Sequence, residues 1–170
     1  MQLRENMKMT IAVGDDLPNT DLLKIGENGP EAVSVDSLTK GRKVVIFGVP
    51  GAFTPTCHSA HVPSFNRTKA QFAAKGVDDI ICVSGNDPFV MKAWAEATGA
   101  DAAGLLMLSD AAGEFGRALG LGFDAAPAGL YNRMQRFALY AEDGVVKVFH
   151  PEAGPGTCEL SGGEAMLAAI

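Results

Sequence analysis

Residues 43–63, KVVIFGVPGAFTPTCHSAHVP, decide how this chain folds. The first seven, Lys43–Val49, are a β-branched and apolar run closed by Pro50-Gly51, which is the pattern of a buried strand. A helix start follows. Pro55 disfavours helical backbone at the residue before it and is itself preorganised for the first helical position, so Thr54 reads as the N-cap and Cys57 as part of the first turn.

Outward from this stretch, strand and helix alternate. A helix is expected over Cys57–Lys75, with Val62, Phe65 and Phe72 among its apolar positions, then a strand at Asp79–Ser84 (DIICVS). Asp87-Pro88, as N-cap and first-turn proline, opens a helix running to Thr98, and Leu105–Leu108 (LLML) reads as another strand. A short helix is expected near Glu114–Leu119. Such alternation implies α/β architecture with a partly parallel sheet. Beyond Gly120–Gly129, a Gly/Ala/Pro-rich stretch read as a surface loop, Arg136–Ala141, Glu142-Asp143-Gly144 and Val145–His150 spell strand, Asp-Gly turn, strand. Ser161 followed by Glu164 has capping-box spacing, so the C-terminal stretch to Ile170 is expected to be helical.

At 170 residues the chain fits one domain, 1–170, with residues 1–8 as a flexible N-terminal extension and Met7 and Met9 as alternative starts. A hydrophobic content of 47% with 20% charged residues is that of a globular protein, not a disordered one. The net charge of −6 and the absence of a Lys/Arg cluster argue against nucleic acid as a partner, Arg133–Arg136 being the nearest approach to a basic patch. No apolar run nears the roughly 18 residues that span a bilayer, and the N-terminal stretch lacks an apolar signal core, so no membrane association and a cytoplasmic location are expected. Three widely spaced cysteines, Cys57, Cys82 and Cys158, suit neither a secreted disulfide framework nor a Cys-x-x-Cys dithiol.

The chemistry centres on Cys57. Unpaired amides and the helix dipole at a helix N-terminus favour an anion, and such sites lower a cysteine's pKa below its free value of about 8.5. A shift of about two units, worth roughly 2.7 kcal/mol, raises the thiolate fraction at neutral pH by at most about 30-fold. Enzymes need roughly a millionfold, so charge developing on a substrate must also be stabilised. The Thr54 hydroxyl and nearby backbone amides can donate, Gly51 allows close approach, and Pro50 and Phe53 can roof a pocket. A cation is missing from that set. Inert burial of Cys57 as a small core hydrophobe is the competing reading. Cys57, His58 and His61 lack a fourth ligand nearby, so no metal is expected, and the two histidines read as surface and packing residues.

The stretch 47–63, followed by ICVSGNDPFVMKAW at 81–94 and RFALYAEDGVVK at 136–147, resembles the type II, peroxiredoxin-5-like peroxiredoxins from about Val13 onward. That resemblance implies a thioredoxin-like fold, with a central mixed β-sheet flanked by helices, and a cofactor-free thiol peroxidase acting on hydrogen peroxide and organic hydroperoxides. It implies Cys57 as the peroxidatic cysteine, Thr54 as the hydroxyl that holds peroxide and thiolate, and Pro50 as the pocket shield. It also supplies the missing cation as Arg136, just before the hairpin, in preference to Arg133. Recycling is left open between Cys158 as a resolving cysteine and an external thiol, glutathione with glutaredoxin or thioredoxin; Cys82, inside a strand, reads as a packed core thiol. A homodimer is implied as well. A non-turnover thiol redox sensor or interaction module is the alternative function.

Overall fold

The structure, a computed structural model, describes residues 10–154 and 156–170; the expected extension 1–8 and the starts at Met7 and Met9 lie outside them. The elements run β1 (Asp21–Gly26), β2 (Gly29–Ser34), α1 (Val35–Thr39) and β3 (Lys43–Val49), then a π-helical turn (Cys57–His61) leading into α2 (Val62–Ala74). Next come β4 (Asp79–Ser84), α3 (Pro88–Thr98), α4 (Ala100–Ala103), β5 (Leu106–Ser109) and α5 (Glu114–Ala118). The chain closes with β6 (Gly122–Ala125), a 3-10 turn (Ala126–Ala128), β7 (Leu130–Met134), β8 (Phe137–Glu142), β9 (Val145–Pro151) and α6 (Gly163–Ala169).

Seven strands form one mixed sheet in the order β2-β1-β5-β4-β3-β8-β9. β3 pairs in parallel with β4, and β4 with β5, while β8 joins β3 antiparallel. The strand β3 is central and buried on both faces, which is why its sequence is continuously apolar rather than alternating. Its side chains still obey the two-residue period. Val45, Phe47 and Val49 enter one core with Phe65, Phe72 and Trp94, while Val44 and Ile46 enter the opposite core with Phe115, Met134 and Phe137. Gly48 is required on that second face, because a Cβ there would lie 2.2 Å from Phe137 Cε1.

Several expectations need correction. The helix after Pro55 is not uniformly α: the Val62 amide donates to the Cys57 carbonyl, five residues back. Pro63 has no N–H to continue the ladder and its ring would crowd the carbonyl four residues earlier, and the wider turn accommodates it. Gly120–Gly129 is not merely a loop, because β6 lies within it and pairs with β7. The capping box does not form: Gly162 is the N-cap of α6 with no side-chain cap, and the Ser161 hydroxyl instead donates to Glu152 Oε2. A carboxylate is the stronger acceptor, and it also takes the Leu160 and Ser161 amides. The β1–β2 hairpin is an element the sequence marks only by Asn28-Gly29 at its turn; Leu22 is the one buried residue of the two strands, so they carry little apolar alternation.

Candidate active site

The site is assembled where β3 leaves the sheet. Pro50 follows the strand, and the tight turn after it is closed by the Thr54 amide and hydroxyl, which donate to the Gly51 carbonyl at 3.4 and 2.6 Å. Within that turn Phe53 adopts φ 62°, an uncommon left-handed conformation for a non-glycine residue. Asn86, beyond β4, anchors the turn from outside: its Oδ1 accepts from the Ala52 amide at 2.8 Å and from the Ser84 hydroxyl at 2.7 Å. Helical backbone begins at Pro55 with Thr54 as the preceding residue, and the His58 amide donates to the Thr54 carbonyl at 2.9 Å. Cys57 therefore sits in the first turn, fully buried.

Arg136 meets it from the start of β8, the strand beside β3. It precedes β8, its carbonyl accepts from the Glu152 amide at 2.9 Å, and its side chain is only 2% exposed. Guanidinium Nη2 donates to Cys57 Sγ at 2.9 Å, and Nη1 donates to His61 Nδ1 at 2.8 Å. The imidazole is neutral: burial, followed by the charge on Arg136, lowers the His61 pKa to about 3. Its Nε2 faces the Ser161 carbonyl at 2.9 Å.

Two cavities border this group. One of about 310 Å³ is lined by Pro50, Thr54, Pro55, Thr56, Leu130, Arg136 and Gly156. A second of about 370 Å³ lies between Phe123, Gln135 and Glu152, again with Pro50 and Arg136 in its wall. Arg136 thus spans from the sulfur to both openings. Thr54, its hydroxyl donating to the Gly51 carbonyl, is part of the wall of the first cavity.

Other expected residues fall elsewhere. Phe53 does not roof either cavity; it is 52% exposed and stacks on His58 at 5.8 Å between ring centroids. Arg133 points at the other side of the loop, with Nη1 donating to the Pro50 carbonyl at 3.0 Å. That approach is what Gly51 permits, since a Cβ there would lie 2.7 Å from Arg133 Nη1. His58 accepts from Trp94 Nε1 at 3.0 Å, away from His61. Among the described residues no three His, Cys, Asp or Glu side chains converge to hold a metal ion, and no helix is long and apolar enough to cross a membrane.

All three thiols are free. Cys82 is packed in β4, where burial, reinforced by the neighbouring Cys57, pushes its pKa well above the ordinary thiol value. Burial also raises the half-buried Cys158, opposed by Arg136 and a hydrogen bond with Ser161. Sequence reasoning missed the parts played by Asn86, Glu152 and Ser161, and gave His61 only a packing place. The one available signal was the four-residue spacing from Cys57 to His61.

Comparison with known proteins gives the family of the chain. The redoxin family model matches residues 12–167. The chain is 50% identical over 165 residues to peroxiredoxin-2E-2, chloroplastic, of Oryza sativa subsp. japonica, covering 95% of this chain and 73% of that one. It is 48% identical over 161 residues to peroxiredoxin-2C of the same organism, covering 94% and 98%. Reduced Prx3 from Vibrio vulnificus in complex with H2O2 superposes with a TM-score of 0.88 at 46% identity, covering 94% of this chain and 99% of that one. With half of its residues shared across nearly its whole length, the chain belongs to the redoxin family as a type II peroxiredoxin, a thiol-dependent peroxidase of the thioredoxin-like superfamily.

Proposed function

We propose that Cys57 is the peroxidatic nucleophile, that Arg136 and Thr54 hold the reacting peroxide, and that Pro50 shields the sulfur from bulk water. The observation that carries this is the 2.9 Å donation from Arg136 Nη2 to Cys57 Sγ by a guanidinium that also lines both cavities. The Cys57 thiolate attacks one peroxide oxygen, an S–O bond forms and the O–O bond breaks. The expelled alkoxide or hydroxide takes a proton and leaves as alcohol or water, and Cys57 is left as sulfenic acid. Negative charge moves from sulfur to the departing oxygen during this step. A forked, permanently charged guanidinium can stay bonded to both, and its buried setting strengthens each contact. Thr54 Oγ1 accepts from the peroxide O–H.

Hydrogen peroxide fits as a substrate because the Vibrio vulnificus relative is described in complex with it, and the second cavity, the larger of the two, has room for the carbon chain of an organic hydroperoxide. Recycling is read as attack on the sulfenic acid by an external thiol, glutathione with glutaredoxin or thioredoxin, giving a mixed disulfide and water. Resolution by Cys158 is the second reading, supported by a free, half-buried thiol near enough to Arg136 for the guanidinium charge to act on it. Intact mass after one equivalent of peroxide separates them: a two-hydrogen loss absent only from Cys158→Ser identifies an internal disulfide, and a glutathione adduct in wild type and variant alike identifies the external route. A homodimer and a cytoplasmic location belong to the same reading. Phe53, Phe89 and Tyr131 are large, exposed side chains that a second copy would cover, and three free thiols suit a reducing compartment. Light scattering and cell fractionation test these two points. For the nucleophile itself the test is Cys57→Ser, which should consume no peroxide; retained turnover refutes the assignment.

A further inference from the structure

A third cavity, of about 170 Å³, opens between α5 and the β6–β7 pair, with Arg117, Phe123, Asp124, Asn132 and Arg133 in its wall. The peroxide chemistry makes no use of it. Two guanidiniums stand there against one carboxylate, and among the described residues neither arginine makes an ion pair. Asp124 Oδ1 accepts instead from the Asn132 amide at 2.7 Å. Neutral acceptors hold the arginines: Arg117 Nη2 donates to the Ala112 carbonyl at 2.8 Å and Nη1 to Asn132 Oδ1 at 3.4 Å, while Arg133 Nε donates to the Tyr131 carbonyl at 3.1 Å. Both side chains lie close against bare backbone. A Cβ at Gly113 would stand 2.6 Å from Arg117 Nη1, and one at Gly85 would stand 2.9 Å from Arg133 Cδ. Two cations fixed side by side, forked donors in hand and more positive than negative charge around them, match the geometry of a carboxylate.

This cavity adjoins the site already described. Phe123 belongs to its wall and to that of the larger cavity beside Pro50 and Arg136. Arg133 Nη1 donates to the Pro50 carbonyl at 3.0 Å, and burial lowers the Arg133 pKa while the charge on Cys57 acts on the same guanidinium in the opposite sense. A three-residue peptide spans about 10 Å, so a molecule of that size reaching Cys57 through the larger cavity can set a carboxylate beyond Phe123. Gln135 in one wall, and Asn132 and Asp124 in the other, suit the amides of a peptide better than an alkyl chain.

We infer that the cavity between Arg117 and Arg133 is a subsite for a carboxylate of the thiol that reduces Cys57, and that this reductant is a small, anionic, peptide-like thiol. The inference rests on the proposed sulfenic acid at Cys57 and its reduction by an external thiol, and it gives that thiol a chemical class and a place. In the step served, the reductant's thiolate attacks the sulfenic sulfur, an S–S bond forms and the S–O bond breaks. The expelled hydroxide takes a proton and leaves as water, and a mixed disulfide remains.

Arg117 is the residue to change, because Arg133 also braces the Pro50 loop. Cys158→Ser protein, which lacks the internal route, is oxidised with one equivalent of hydrogen peroxide. Quenched-flow intact mass then gives the rate of mixed-disulfide formation with glutathione, a carboxylate-bearing thiol, and with 2-mercaptoethanol, an uncharged one. Arg117→Gln should lower the glutathione rate by about three- to tenfold and leave the 2-mercaptoethanol rate within about 1.5-fold. Arg117→Glu should lower the glutathione rate further, and Arg117→Lys should keep most of it. The Arg117→Gln loss should also shrink in about 0.5 M salt, since screening weakens the same attraction. Equal losses with the two thiols, no loss with glutathione in the Gln and Glu variants, or a loss that salt leaves unchanged would each overturn the inference. Absence of a sulfenic acid at Cys57 after peroxide, or one that 2-mercaptoethanol reduces and glutathione does not, would instead sink the underlying reading, a result distinct from failure of the arginine pair.

Discussion

Replacing Arg136 by methionine keeps much of the side chain's length and removes its charge and donors. Two losses follow. The donation to Cys57 Sγ at 2.9 Å is a hydrogen bond from a charged group, a class worth about 1.5–3 kcal/mol. The departing oxygen loses a preorganised donor as well, and removal of one such donor elsewhere costs about 2.7–4 kcal/mol of transition-state stabilisation. Both describe one guanidinium and overlap, so a combined loss of about 3–4 kcal/mol is the reasonable sum, or about 10²- to 10³-fold in rate. The single tryptophan, Trp94, is bonded to His58 one residue beyond Cys57, so stopped-flow Trp94 fluorescence can follow oxidation of the thiol directly, without the recycling steps. The expected result is a second-order rate constant for oxidation lowered by that factor, with the folded state retained. Arg136→Lys should recover only part of it, since a single ammonium cannot bridge sulfur and imidazole as the fork does. An Arg136→Met rate within about threefold of wild type would refute the reasoning.

His61 makes stability depend on pH. Its folded pKa of about 3 lies below the unfolded value near 6.5, so the unfolded chain binds the extra proton between these limits and stability falls as pH drops through that window. From pH 7.5 to pH 5 the loss is about 2 kcal/mol; urea unfolding at the two pH values reads it, and His61→Asn should show a smaller fall. Gly48→Ala forces a methyl into the Phe137 ring in a closed core and should destabilise by about 1–3 kcal/mol, with an unchanged urea midpoint arguing against the close packing described. Glu152→Ala frees the Leu160 and Ser161 amides, so the 156–161 segment should loosen and Cys158 should react several-fold faster with a thiol-labelling reagent. An unchanged labelling rate would mean that Glu152 does not hold that segment closed.

Local chemistry made most of this fold legible. Lys43–Val49 and Asp79–Ser84 read as strands and are strands with those same ends, because β-branched runs closed by turn residues carry their own signal. Thr54-Pro55 set the start of the helix and the place of Cys57 within it, since proline acts on its immediate neighbours. What depended on partners far along the chain was not legible. Arg136 reaches Cys57 across 79 residues, and Ser161 reaches His61 across 100; only the family resemblance singled out the arginine, and nothing singled out Ser161. The capping box at Ser161 failed for the same reason: a carboxylate nine residues away in the chain was closer in space and stronger than the local bond. The sequence by itself determined the sulfur, its helix and the strands that carry them. Tertiary structure alone decided which charge the sulfur meets and which groups surround that charge, because those bonds form only once the start of β8, the π-helical turn, Glu152 and Ser161 have packed against one another.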